Sequence, residues 1–121
     1  MNKIRITGGE PLLRQGVENL VSEIAAIRPI RDLSMTTNGT GFPALAKRLK
    51  EAGLGRMTIS LDSLDRDNFK KITGRDGLAE VLESIRIAKS VGLSPVKLNA
   101  VIIRELNDHE IVRLANFAHE Q

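Results

Sequence analysis

The sequence predicts an α/β fold, an incomplete (β/α) barrel made of four parallel βα units. Three observations lead there. Four short segments alternate apolar and polar residues, and each precedes a stretch with apolar residues at helical spacing. Each of the four strands has one apolar face and one polar face, and each runs out into small or polar residues at its carboxyl end. That end of a parallel sheet is where α/β proteins build their sites.

The first unit opens with Lys3-Ile4-Arg5-Ile6-Thr7, in which Ile4 and Ile6 alternate with polar neighbours. Gly8 and Gly9 then leave a backbone without Cβ atoms, which turns freely and admits a ligand close to its amides and carbonyls. Glu10 sets a carboxylate at this lip, and Pro11 stops the strand and biases the chain toward a helix. Val17, Leu20, Val21, Ile24 and Ile27 follow at helical spacing, with Pro29 closing the helix.

The second strand is expected over 32–37, ending in Thr36-Thr37-Asn38-Gly39. A short helix carrying Leu45 and Leu49 comes next and stops at Gly53. The third strand, 56–61, ends in Ser60-Leu61-Asp62-Ser63. A polar loop with one helical turn (65–71) then leads through Gly74-Arg75-Asp76-Gly77. Leu78, Val81, Leu82, Ile85 and Ala88 mark the next helix, capped near Gly92, and the fourth strand is expected over 96–103. Asn107 followed by Glu110 reads as a capping box for a last helix with Ile111, Leu114, Ala115 and Ala118.

The spacing of the units, about 25 to 38 residues, suits a doubly wound sheet or a barrel. The strand faces separate the two, because parallel strands covered on both sides read as nearly continuous apolar runs. Here Lys3, Arg5 and Thr7 share a face, as do Ser34, Thr36 and Asn38, then Thr58, Ser60 and Asp62, then Lys97 and Asn99. The opposite faces carry Ile4, Ile6, Leu33, Met35, Ile59, Leu61, Leu98, Ala100 and Ile102. Burying the polar set without partners would cost about 1–3 kcal/mol for each group, more than a domain can absorb. The polar face therefore lines a wet interior suited to a polar ligand, the competing arrangement being an open sheet with that face in water.

Composition narrows the classes of function. The 121 residues, 41% hydrophobic and 27% charged, are ordinary for a globular protein and amount to a single domain or a piece of one. No apolar run reaches the roughly 18 residues of a membrane span, and no secretory signal opens the chain, so a membrane partner is not expected and the expected location is the cytoplasm. Three Phe and no Tyr or Trp leave few rings for stacking bases, which argues against nucleic acid as a partner despite a net charge of +3. A few bases gathered in one cavity fit an anionic small molecule instead. Arg14, Arg75, His109 and His119 have no placement toward the polar face and read as surface residues. With no cysteine, the chain itself offers neither disulfides nor thiolate metal ligands.

Gly8-Gly9-Glu10-Pro11 resembles the Gly-Gly-Glu-Pro motif of the radical S-adenosylmethionine (SAM) enzymes, and the chain as a whole resembles the central part of the GTP cyclases among them that begin molybdenum cofactor synthesis. The further matches are Thr36-Thr37-Asn38-Gly39, Ser60-Leu61-Asp62-Ser63-Leu64-Asp65, Phe69 with Ile72-Thr73-Gly74, Val96-Lys97-Leu98-Asn99, and Asn107 with Glu110-Ile111. The first motif is shared by many radical SAM enzymes, whereas the Ser-Leu-Asp-Ser-Leu-Asp and Val-Lys-Leu-Asn stretches are more characteristic of the cyclases. The resemblance implies a barrel of the radical SAM type, of which residues 1–121 form one incomplete piece. It implies that Gly8, Gly9, Glu10 and Ser60 hold SAM, and that Arg5, Thr36 and Lys97 contact GTP. The chemical character of these side chains agrees, since Arg5 and Lys97 are cations suited to phosphate and Thr36 offers a hydroxyl. A homodimer is compatible with all of this.

The reaction that the resemblance implies is a lyase reaction: reductive cleavage of SAM by a [4Fe-4S] cluster, hydrogen abstraction from the GTP ribose and attack of the carbon radical on the purine. The cyclases hold their clusters through cysteines before the first barrel strand and in a C-terminal domain. This chain has none, and iron–sulfur ligation needs thiolates, so the cluster ligands are expected outside it and the chain alone is expected to be inactive. No catalytic or metal-ligating residue is therefore assigned within it. Two other readings stay open on the residues: another radical SAM enzyme such as a maturase, for which Arg5 and Lys97 would have no phosphate to meet, and a non-catalytic α/β binding module.

Overall fold

The computed structural model describes residues 2–121. Four strands, β1 (Lys3–Ile6), β2 (Asp32–Thr37), β3 (Arg56–Ser60) and β4 (Val96–Asn99), lie in the order β1-β2-β3-β4, every pair parallel. They form an open α/β sheet, one wall of an incomplete (β/α) barrel. Between and after them run α1 (Val17–Ala25), α2 (Phe42–Ala52), α3 (Arg66–Thr73), α4 (Leu78–Ser90) and α5 (Ile111–Glu120), with short 3-10 turns at Pro11–Leu13 and Asp108–Glu110. Parallel neighbours joined by right-handed crossovers carry their helices on one side of the sheet.

The register makes that side the apolar one. Ile4 pairs with Leu33, Ile6 with Met35, Met35 with Met57, and Ile59 with Leu98. Leu33, Met35, Met57 and Ile59 are buried there together with Val17 and Val21 of α1, Phe42, Ala46 and Leu49 of α2, and Val81, Ile85 and Ala88 of α4. These helical positions recur at three- and four-residue spacing, which turns one stripe of each helix onto the sheet. Gly53 ends α2 in the left-handed region at φ 117°, donating its amide back to the carbonyls of Leu49 and Lys50.

Four sequence expectations need correction. The single helical turn expected in the polar loop at 65–71 is a full helix, α3, because the Asp65 carboxylate caps it by accepting from the Asn68 amide, and the Phe69 side chain is buried; the described residues thus hold five α-helices, not four. The fourth strand stops at Asn99 instead of 103, and Val101, Ile102 and Ile103 are exposed. Side chains replace the ladder there: Asp62 Oδ1 accepts from the Val101 amide, and Asn107 holds Val101 and Ile103. The capping box does not form, since neither Asn107 nor Glu110 caps a helix with its side chain. Finally, Arg75 is not a free surface residue; it is half-buried, with its guanidinium 5.7 Å from the centre of the Phe69 ring. Arg14, His109 and His119 are exposed, as expected.

Candidate functional site: the polar face and its carboxyl edge

The face of the sheet opposite the helices carries its polar residues in layers. Lys3 pairs with Asp32 at the amino end. Above it Arg5, Ser34 and Arg56 are in register, then Thr36, Thr58 and Lys97, and then Ser60 with Asn99 at the carboxyl edge. Arg5, Thr36, Ser60 and Lys97, which the sequence singles out, thus share one face. They do not share one level: Thr36 and Lys97 flank Thr58, Arg5 lies one layer below, and Ser60 one layer above.

Two groups in the lower layers escape a reading by motifs. Arg56 donates to both oxygens of Asp32, at 2.7 and 2.8 Å. Those hydrogen bonds hold the Asp32 carboxyl below its usual range and raise the Arg56 guanidinium. Beside them Ser34 is buried between the paired positions of Arg5 and Arg56, and its Oγ has no hydrogen-bond partner. A shallow cavity of about 280 Å³ opens here, lined by Lys3, Ile4, Arg5, Ser34 and Arg56. With Arg56 occupied by Asp32, Lys3 and Arg5 are the exposed cations of this hollow. An orphaned hydroxyl beside exposed cations is a recess fit for an anion.

The carboxyl edge is built by Glu10. Its Oε2 accepts from the Leu12 amide at 2.9 Å and from Thr37 Oγ1 at 2.7 Å, and its Oε1 accepts from the Asn38 amide at 2.7 Å. The carboxylate ties the loop after β1 to the end of β2. Thr37 is buried on the apolar side of β2, in step with Leu33 and Met35. A threonine in that stripe is the signal in the sequence that could have revealed this partner. Farther round the edge, Ser84 of α4 donates to the Gly39 carbonyl at 2.6 Å, and Glu80 accepts from the Gly41 amide. The loop after β2 is therefore held from both sides.

Gly8 and Gly9 form the open part of the edge. Gly8 has φ 130°, a conformation that side chains disfavour, and apart from the glycine itself and its chain neighbours no atom lies within 4 Å of where a Cβ would stand on either glycine. The space is free for a ligand that hydrogen-bonds backbone groups, and with Ser60 half-exposed two strands away it fits the amino-acid end of SAM. An iron–sulfur cluster does not fit these residues, because the chain has no cysteine. Among the described residues, no group of three or more His, Asp or Glu side chains could hold a metal ion, and no helix is long and apolar enough to cross a membrane.

Residues 1–118 match the model of the Radical SAM superfamily. Among curated proteins, the chain is 49% identical over 116 residues to a GTP 3′,8-cyclase of Petrotoga mobilis, covering 96% of this chain and 36% of that protein. It is 50% identical over 121 residues to a GTP 3′,8-cyclase of Moorella thermoacetica, covering all of this chain and 38% of the other. A Pseudomonas putida GTP 3′,8-cyclase is 49% identical over 116 residues. The chain spans little more than a third of the length of these relatives. The family model covers both glycines of the open edge and all four strands of the layered polar face, so the chain belongs to the radical SAM superfamily.

Proposed function

We propose that this chain is the central part of a cytoplasmic GTP 3′,8-cyclase, a radical SAM lyase that converts GTP to 3′,8-cyclo-7,8-dihydro-GTP for molybdenum cofactor biosynthesis. The observation that carries the reading is the single polar face on which Arg5, Thr36, Ser60 and Lys97 stand in adjacent layers. The cyclase relatives at about half identity, matching over 96% or more of this chain, supply the choice of substrate. A maturase without a phosphorylated substrate has no use for cations at Arg5 and Lys97.

In this reading Gly8 and Gly9 receive the methionine end of SAM on backbone atoms, with Ser60 as a further contact. Glu10 belongs to the same subsite. With three protein donors already on its carboxylate, its main contribution is to fix the loop that presents those backbone atoms. Lys97 and Arg5 bind phosphate oxygens of GTP, and Thr36 donates or accepts through its hydroxyl. Because Thr36 and Lys97 lie one layer beneath Ser60, GTP sits deeper in the barrel than SAM. SAM held there by Gly8, Gly9 and Ser60 would supply the 5′-deoxyadenosyl radical. The chain's own work is to hold the ribose of GTP against that site and to keep water away from it.

The test uses the full-length polypeptide that contains this segment, with its clusters reconstituted under anaerobic conditions. Incubation with GTP, SAM and a reductant is expected to yield the cyclised nucleotide and 5′-deoxyadenosine. Production of 5′-deoxyadenosine without any GTP-derived product would assign the chain to a different radical SAM reaction.

A further inference from the structure

We propose that Glu110 is a positioning residue for the SAM end of the site: through Ser63 and Leu64 it fixes the course of the chain that leaves β3 at Ser60. The inference rests on the reading that Ser60 meets SAM.

Glu110 is wholly buried. Ser63 Oγ, also buried, donates to Glu110 Oε2 at 2.6 Å, and the Leu64 amide donates to Oε1 at 2.9 Å. Asn68 Nδ2 reaches Oε2 at 3.4 Å while also donating to the Leu106 carbonyl. Burial pushes the Glu110 carboxyl up, but the Ser63, Leu64 and Asn68 hydrogen bonds and the nearby His109 outweigh it, and the net direction is down. The outer guanidinium of Arg113, at 3.9 Å, adds a weaker attraction. Glu110 is thus an ionised carboxylate in a closed pocket, an arrangement that is unfavourable unless donors surround it. Its sequence distance from Ser63 is 47 residues, so the contact joins the loop after β3 to the segment entering α5.

A second buried side chain reinforces the junction. Asn107 Nδ2 donates to the Asp62 carbonyl at 2.6 Å and to the Val101 carbonyl at 2.9 Å, and its Oδ1 accepts from the Ile103 amide. The Leu61 amide donates to the Asn99 carbonyl at 2.8 Å. Leu61 is therefore tied to the end of β4, and Asp62, Ser63 and Leu64 to the segment between β4 and α5, three by main-chain groups and one by its hydroxyl. The ties avoid the layer of Thr36 and Lys97, which ladder pairing already holds. Loosening Glu110 is therefore expected to disturb the upper level of the polar face and to spare the one beneath it.

Calorimetric titration of SAM and of GTP into the full-length protein containing this segment decides the matter, using wild type, Ser63→Ala, Glu110→Gln and the double variant. The expected result is a SAM affinity lower by about tenfold in each single variant, the equivalent of one charge-assisted hydrogen bond. GTP affinity stays within about twofold, and the double variant is little worse than Glu110→Gln alone because both changes break one contact. Equal losses for the two ligands, or a lower melting temperature with SAM affinity unchanged, would overturn the positioning role while leaving the cyclase reading intact. A wild-type protein that binds neither ligand overturns both. Should Glu110→Gln fail to fold, Ser63→Ala, which deletes a single hydroxyl, decides the question on its own by the same two affinities.

Discussion

Thr37 Oγ1 donates to Glu10 Oε2 at 2.7 Å across 27 residues of sequence. This bond, with the Asn38 amide on Oε1, makes the loop after β1 and the end of β2 one unit. Glu10→Ala would strand the Thr37 hydroxyl and the amides of Leu12 and Asn38 in a half-buried place, which water only partly repairs. The expected loss is about 1–3 kcal/mol of stability, read as a lower urea midpoint at unchanged slope. Thr37→Val keeps the shape and removes one donor, and it should be milder.

Lys97 tests the GTP assignment. Replacing it by Ala removes a charge-assisted contact worth roughly 1.5–3 kcal/mol, so GTP affinity should fall about ten- to a hundredfold. SAM affinity should change far less. The fold should persist, because Lys97 is exposed and forms no ion pair among the described residues. Isothermal titration with each ligand checks this, and an unchanged GTP affinity would remove Lys97 from the site.

Two glycines separate backbone strain from steric clash. Gly53 has φ 117°, and a Cβ there would stand 2.5 Å from Ala25 Cβ. Gly53→Ala should therefore cost more than the roughly 1–3 kcal/mol of a strained backbone alone. Gly8, at φ 130°, has empty space around it, so Gly8→Ala carries only the strain. Its larger effect should be on SAM binding, because the methyl group enters the space the ligand needs. Melting curves and SAM titrations of the two variants should rank them in opposite orders.

Acid should weaken the Glu110 contacts. The folded carboxyl titrates below its unfolded value, so its contribution to stability is present above the ordinary glutamate pKa of about 4.3 and is lost as pH falls through the lower folded value. Wild type should exceed Glu110→Gln in urea stability at neutral pH, and the gap should narrow below about pH 4. Asp32, Asp76 and Glu83 are also held low by arginine partners, so only the difference between wild type and variant isolates Glu110. A gap that does not change with pH would mean that Glu110 acts as a neutral group.

The isolated 121-residue chain should bind no cluster. With no thiolate available, anaerobic incubation with iron and sulfide is expected to leave no cluster absorbance on the purified chain, and no 5′-deoxyadenosine should form from SAM.

The alternation of side chains by itself determined that each strand has a polar and an apolar face, because that depends only on the extended backbone. Helix stripes, the stop at Gly53 and the open edge at Gly8-Gly9 are local in the same way, and all of them could be read from the chain. Local reasoning failed where a side chain chose a distant partner. Asn107 and Glu110 have the spacing of a capping box, yet Glu110 bonds across the structure to Ser63, and Asn107 takes the Ile103 amide and the Val101 carbonyl just beyond the end of β4. Glu110 stands at the N-cap of α5, four residues before the buried Leu114, and the sequence could not say what its side chain would meet there. Which polar residues share a layer was equally hidden, since the register of parallel strands is set by crossover helices packing on the far side. Only tertiary structure put Ser60 above Thr36 and Lys97, left Ser34 without a partner beside Arg5, and turned Glu10 from a free carboxylate at a lip into the bond between two strand ends.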